Sequence, residues 1–255
     1  MKIGVIGAGG LGTSLVRKLT QAGHTVQVAN SRGPETLADL AAETGATAVS
    51  AAEAGNGVNV LIVSIPFGNM PSLKPVFDAL PEDVIIADTS NYYPFRDGKI
   101  EAVENGQVES EWVQERIGRP VVRVWNTLIE ATLVNKGLPV GSAGRLAIPV
   151  AGDDANAKKV ITGLVDDTGF DSVDAGPIAD SWRIQPGAPA YCTELTVEQL
   201  EEALQLADRE TDPLRRELNL PILASWSDGS QIHGDEMVAL SRAIARLPHR
   251  LGIGL

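Results

Sequence analysis

The sequence predicts an α/β protein: a doubly wound, mainly parallel sheet followed by a helical C-terminal extension. Two observations carry this. Short, β-branched, almost wholly apolar runs alternate with alanine- and leucine-rich segments over most of the chain. Those runs lack the polar alternation of strands with one wet face, so both faces of the sheet must be covered.

"KIGVIG" is the first strand, and about Gly10 to Ala22 the first helix, with Leu11, Leu15, Val16 and Leu19 on one face and Gly23 ending it. "TVQVAN" is the second strand, and Pro34 to Ala42 the second helix, with proline near its first turn. "VNVLIVSIP", "DVIIADTS" and "VVRVWNT" are further buried strands. "RLAIPVAG" and "FDSVDAG" complete the series, separated by a helix from about Ala155 to Leu164. "TVEQLEEALQLADRE" is an amphipathic helix. Thr196 and Gln199 form its expected capping box, and Glu198, Glu201, Glu202 and Asp208 its solvated face. "DEMVALSRAIARL" sets Met237, Leu240, Ile244 and Leu247 at helical spacing, a stripe for packing or a subunit contact. Residues 1–192 read as one nucleotide-binding unit and 193–255 as the extension.

Bulk properties narrow the function classes. The 255 residues carry a net charge of −12, which disfavours nucleic acid and anionic lipid as partners. Cys192 is the single cysteine, so no internal disulfide exists and no Cys/His cluster has metal-ligand spacing. No apolar run reaches the roughly eighteen residues of a membrane span, and no signal peptide fits the first residues. A cytoplasmic location without metal or membrane is expected.

The first strand runs into "GAGGLG". Gly7, Gly9 and Gly12 give the G-x-G-x-x-G pattern of a Rossmann-type turn, in which Gly7, Ala8, Gly9, Gly10, Leu11 and Gly12 would cradle a pyrophosphate. The first glycine permits the tight turn, the second admits the phosphate, and the third lets helix pack on strand. The helix N-terminus then offers free N–H groups to the anion. About twenty residues further on, such sites usually hold the ribose with a carboxylate. Here the second strand ends in Asn30, Ser31 and Arg32. A carboxylate would repel a 2′-phosphate, whereas arginine grips it through a bidentate fork and serine adds a hydroxyl donor. The expected cofactor is NADP(H), although Glu35 is near enough to reach the same ribose.

Proton carriers are scarce. His24 follows Gly23, away from the strand ends, and His233 and His249 lie in the tail. Asn135 and Lys136 are adjacent and share no helix face. Tyr92, Tyr93 and Tyr191 have no obvious partner, and Cys192 reads as a small core residue. No side chain is assigned a catalytic role. This poverty favours hydride exchange between two redox-active rings, where the protein mainly orients.

With these residues in view, the chain resembles the F(420)-dependent NADP oxidoreductases, relatives of the cytosolic reductase domain of STEAP metalloreductases. "GAGGLGTSL", "ANSR", "VSIPF", "VVRVWNTL", "IPVAGDDANAKKVI" and "DSVDAGPIADSWR" carry the resemblance over residues 1–192. It implies a nicotinamide near Ser64, Ile65, Pro66 and Asn126, with Asn91 and Thr127 at strand ends lining the same cleft. It also implies a deazaflavin or flavin-like acceptor as second substrate, and a homodimer. After "DAGPIADS" the sequence departs from the family with "WRIQPGAPAYCTEL", where Trp182 is either a stacking platform or a core residue. Two alternatives stay open: a reductase of a small carbonyl or imine, and a non-catalytic NADP(H)-sensing module. What occupies the nicotinamide face separates the three.

Overall fold

A computed structural model describes residues 1–226 and 234–245; His233, Leu247 and His249 lie outside the described residues. The first half runs β1 (Lys2–Ile6), α1 (Gly10–Gln21), β2 (Thr25–Ala29), α2 (Ala38–Thr44), β3 (Thr47–Ala48), β4 (Val60–Val63), α3 (Lys74–Asp78) and β5 (Ile85–Asp88). Three helices follow, α4 (Pro94–Asp97), α5 (Glu101–Glu104) and α6 (Glu109–Ile117), then β6 (Val122–Arg123), α7 (Glu130–Asn135), β7 (Ala147–Val150), α8 (Ala155–Asp167) and β8 (Asp171–Asp174). The chain continues into α9 (Val197–Gln205), α10 (Asp212–Trp226) and α11 (Gly234–Ala245).

Six strands form one parallel sheet in the order β3-β2-β1-β4-β5-β6. The order reverses between β1 and β4, which pair with Ile6 opposite Val63. A crevice opens outside the carboxyl ends of the strands at such a reversal, and there open α/β sheets bind ligands. The apolar strands are covered on both sides, as their composition requires. Val60 and Ile62 of β4 enter the core beneath α1 and α8, while Leu61 and Val63 enter the opposite core with Phe67, Phe77 and Trp112.

β7 and β8 do not simply extend the parallel series. They form their own parallel pair, joined to β6 by one antiparallel bridge between Arg123 and Ala151, with N···O distances of 2.8 and 3.0 Å. The connection from β6 carries α7 down beside α1, and Leu138 N–H then bonds Gly169 C=O at 2.8 Å. β7 therefore runs back against β6. The second helix also differs from its reading: Pro34–Leu37 is a 3-10 turn, and the α-helix runs Ala38–Thr44 to Gly45, whose φ of 76° suits glycine.

The capping box of α9 is present, with Thr196 N–H donating to Gln199 Oε1 at 3.1 Å. Leu200, Ala203 and Leu204 of α9 share one cluster with Ala147, Val173 and Ile184, so residues on both sides of position 192 build a common core. In α11, Leu240 and Ile244 are buried, with the partly buried Met237 of the same helix and Ile222 of α10 packed against them, so the described part of the apolar stripe packs within the chain. No described helix is long and apolar enough to cross a membrane.

Candidate functional site

The glycine turn sits at the sheet's reversal point, stitched in place by Gly7 N–H to Ala29 C=O and Ser64 N–H to Ile6 C=O, both 2.8 Å. Its three glycines meet three different constraints. Gly7 has φ 108°, and a Cβ there would fall 2.0 Å from the Ser64 carbonyl oxygen. A Cβ on Gly12 would fall 1.9 Å from the Gly7 carbonyl oxygen, so this glycine sets how closely α1 approaches the turn. A Cβ on Gly9 would meet nothing within 4 Å among the described residues, so that face of the backbone is open to them. Gly9 is also the N-cap of α1, with extended backbone and no side-chain cap, and no acid stands in the first turn. The N–H groups of Gly10, Leu11 and Gly12 consequently have no helical partner.

A cleft of about 360 Å³ opens on this face. Its walls are Ile6, Gly7, Ala8 and Gly9 from the turn, Asn30, Ser31 and Arg32 after β2, and Ala51, Ser64, Ile65, Pro66, Asn69, Ser72 and Leu73 beyond β3 and β4. The structure thus brings together Gly7, Ala8, Gly9, Asn30, Ser31, Arg32, Ser64, Ile65 and Pro66 from the sequence reading. Asn30 braces the loop: its Oδ1 accepts from Arg32 N–H at 2.9 Å, and its Nδ2 donates to Thr36 Oγ1 at 2.8 Å. Ser31 and Arg32 are exposed. Arg32 makes no ion pair among the described residues. The Glu35 carboxylate folds back on Gly33 and does not line the cleft. Ala51, Asn69, Ser72 and Leu73 had no sequence signal, because no motif spaces them from the turn.

Asn91, Asn126 and Thr127 lie apart from these walls, in a network at the ends of β5 and β6. At its centre Arg123, fully buried, donates to Asp88 at 3.2 Å, Glu109 at 2.6 Å and Asn91 Oδ1 at 3.0 Å. Burial pushes the Glu109 carboxyl up despite the neighbouring Arg123. Burial also works against the Arg123 charge, but Glu109 and Asp88 outweigh it and hold that guanidinium above its usual range. Asn91 Nδ2 donates to the Asn126 carbonyl at 2.8 Å and the Tyr191 hydroxyl at 3.3 Å, and Asn126 Nδ2 donates to the Ile184 carbonyl at 2.6 Å. Thr127 C=O accepts from Cys192 N–H at 3.0 Å. These bonds fasten the segment after β8 across the end of β6.

The backbone is strained at this seam. Trp125, Cys192 and Glu194 all adopt left-handed φ values of 55°, 55° and 52° without being glycine. Such conformations cost about 1–3 kcal/mol each and persist where surroundings over-determine them.

The remaining candidates for proton chemistry are accounted for individually. Tyr93 and Tyr191, unpaired in the sequence reading, share a hydroxyl–hydroxyl bond of 2.7 Å, and burial raises both phenols. Tyr92 OH donates to the Gly98 carbonyl at 3.2 Å. Burial pushes the Cys192 thiol up to about 12, leaving no thiolate at neutral pH. His24 sits between the N-terminal amine at 3.0 Å and Asp167 at 2.9 Å. Lys136 bonds Glu194 at 2.9 Å and Asp235 at 3.0 Å, which keeps it charged. Trp182 lies under Arg209 and lines a separate cavity of about 330 Å³ with Arg209 and Arg216.

Comparison with known proteins agrees with this geometry. Residues 2–92 match the model of a family described as NADP oxidoreductase, coenzyme F420-dependent. The putative protein YjhV of Escherichia coli (strain K12) is 50% identical over 72 residues, 28% of this chain and 53% of that protein, so the match spans about half of the relative's length. The solved structure of a hypothetical protein, SMa0349 from Sinorhizobium meliloti, is similar at 28% identity and a TM-score of 0.66, covering 77% of this chain and 95% of that one. A putative F420-dependent NADP-reductase from Arthrobacter sp. FB24 shares the fold at 23% identity and a TM-score of 0.58, over 70% of this chain and 86% of that one.

Proposed function

We propose, from the match of residues 2–92 to the model of the coenzyme F420-dependent NADP oxidoreductase family, that this chain is an NADPH-dependent oxidoreductase. In this reading it passes a hydride between the nicotinamide of NADP(H) and a deazaflavin or flavin-like ring. One observation carries it: Ser31 and Arg32, the latter without an ion pair among the described residues, open on the same cleft as Gly9, which nothing among the described residues obstructs. That combination fits a dinucleotide bearing an extra phosphate on its ribose. Gly9 leaves room for the pyrophosphate, and the first turn of α1 supplies its N–H donors. Arg32 and Ser31 take the 2′-phosphate, held at the right reach by the Asn30 turn.

The bound cofactor supplies the hydride; this chain's residues bind, orient and exclude water. Ile65 and Pro66 form the apolar wall at the β4 end of the cleft. Asn91, Asn126 and Thr127 act from behind, since their hydrogen bonds hold the ends of β5 and β6 and the segment crossing them. Among the described residues lining the cleft, Arg32 alone carries an ionisable side chain. The hydride passes directly between two rings, and the proton that completes the reduced ring can come from water at a ring nitrogen, so no side-chain relay is required and geometry dominates, with reacting carbons about 3–3.5 Å apart. Homodimer assembly and a cytoplasmic setting complete the reading, although the apolar stripe of α11 is already used on α10.

The Tyr93–Tyr191 hydroxyl pair favours one second reading, a small carbonyl or imine reductase with a tyrosine as proton donor. Cofactor titration and turnover separate the possibilities. NADPH should bind more tightly than NADH, and Arg32→Ala should remove most of that preference, roughly tenfold to a hundredfold for a lost charge-assisted pair. Turnover against deazaflavin, flavin mononucleotide and a carbonyl and imine panel then identifies the acceptor. Equal binding of NADPH and NADH would refute the cofactor assignment, and NADPH binding without any turnover would leave a sensing module.

A further inference from the structure

Glu130 is remote from the glycine turn in sequence, yet its carboxylate reaches that turn in space. A Cβ on Gly10 would fall 1.8 Å from Glu130 Oε2 and 2.4 Å from its Cδ. The carboxylate therefore lies against the first residue of α1, the end whose free N–H groups and dipole favour an anion. A side chain at Gly10 would meet only the far end of the Glu130 side chain, which would have to swing aside.

Glu130 is exposed, and an exposed glutamate ordinarily extends into water. Here the backbone that carries it is clamped. Thr132 Oγ1 donates to Glu194 at 2.7 Å, and Lys136 ties Glu194 and Asp235 together at 2.9 and 3.0 Å. Gly234, the first residue of α11, presses on both neighbours of Glu130. A Cβ on Gly234 would fall 2.7 Å from Ile129 Cδ1 and 2.9 Å from Ala131 Cβ. The C-terminal helix thus seats the first turn of α7, and α7 carries the acid to the mouth of α1.

We infer that Glu130 is a built-in counter-charge at the pyrophosphate end of the cleft, which loosens the hold on the dinucleotide and is set in place by the C-terminal helix. This rests on the cofactor reading above. A pyrophosphate over the α1 N-terminus meets Glu130 as a like charge and must displace it or share the helix end with it. The effect is electrostatic, so salt weakens it. A ligand that reaches only Ser31 and Arg32 does not meet Glu130.

The test measures dissociation constants of NADPH and of adenosine 2′-monophosphate for the full chain, Glu130→Gln and Arg32→Ala. It is run where the Debye length is about 30 Å and again where it is about 3 Å. Glu130→Gln should tighten NADPH about fivefold at low salt, the order expected for exposed unit charges a few ångströms apart. The gain should vanish at high salt and be absent for adenosine 2′-monophosphate, while Arg32→Ala weakens both ligands. No gain for NADPH in Glu130→Gln, or an equal gain for both ligands, overturns the inference while the Arg32 result upholds the cofactor reading. An Arg32→Ala protein that binds both ligands as before overturns that reading and this inference with it.

Discussion

Replacing Arg123 with methionine should be the most costly single change at the strand-end network. The side chain is fully buried and faces Asp88 at 3.2 Å and Glu109 at 2.6 Å, themselves 0% and 1% exposed. Methionine has similar reach but no charge, so two carboxylates would lose the cation that bridges them in the core. Breaking a buried pair from one side costs about 3–5 kcal/mol, a large share of the roughly 5–15 kcal/mol that stabilises a typical domain. The cost should depend on pH, and the sign follows from Glu109. Burial already holds its carboxyl above the usual range, and removal of Arg123 takes away the main opposing influence. An acid whose folded-state pKa is raised destabilises most above that pKa, and the penalty fades as pH falls through it toward the unfolded value near 4. Urea unfolding of the two proteins at pH 8 and pH 5 should therefore show the full deficit at the higher pH and a smaller one at the lower. Adding Glu109→Gln to the variant should recover part of the loss at pH 8. A deficit under about 1 kcal/mol, or one equal at both pH values, would show that the three charges do not depend on one another as the distances imply.

The glycines of the turn should separate stability from binding. Gly12→Ala forces a methyl into the Gly7 carbonyl at 1.9 Å and should destabilise the fold by more than about 3 kcal/mol, seen as a large fall in melting temperature. Gly9→Ala meets nothing within 4 Å and its φ is −78°; melting should be unchanged while NADPH affinity falls at least tenfold, and retained affinity would place the pyrophosphate elsewhere. Tyr191→Phe loses the 2.7 Å bond to Tyr93 and an acceptor for Asn91, worth about 1–3 kcal/mol of stability, yet should leave turnover nearly unchanged. A fall of the 10²–10⁴-fold size expected for a lost general acid would transfer the chemistry to the tyrosine pair.

The parts of this protein that could be read from the sequence are those whose causes are local. Gly7 needs a positive φ and Gly12 a bare Cα because of the turn they belong to, and the apolar run of β4 announces burial on both faces by itself. Ser31 and Arg32 were legible for the same reason: a fixed strand-and-turn unit determines where the residues after β2 must point, and Asn30 secures them with bonds only two and six residues long. The parts decided by tertiary structure pair groups with no fixed spacing. Arg123 meets Asp88 and Glu109 across 35 and 14 residues, Tyr93 meets Tyr191 across 98, and Glu130 arrives at Gly10 because α11 seats α7. Nothing in the residue types at 125, 192 and 194 announces a left-handed backbone, since tryptophan, cysteine and glutamate have no preference for it. Likewise β7 carries the composition of one more parallel strand, and only the return of the chain past α1 turns it against β6. The sequence by itself determined the glycine turn, the place of Ser31 and Arg32 after β2 and the layers of the sheet, because backbone sterics and burial act over a few residues. Which charges share a pocket, and which acid stands at the mouth of α1, was decided only when distant segments packed, because electrostatic partners are selected by distance in space.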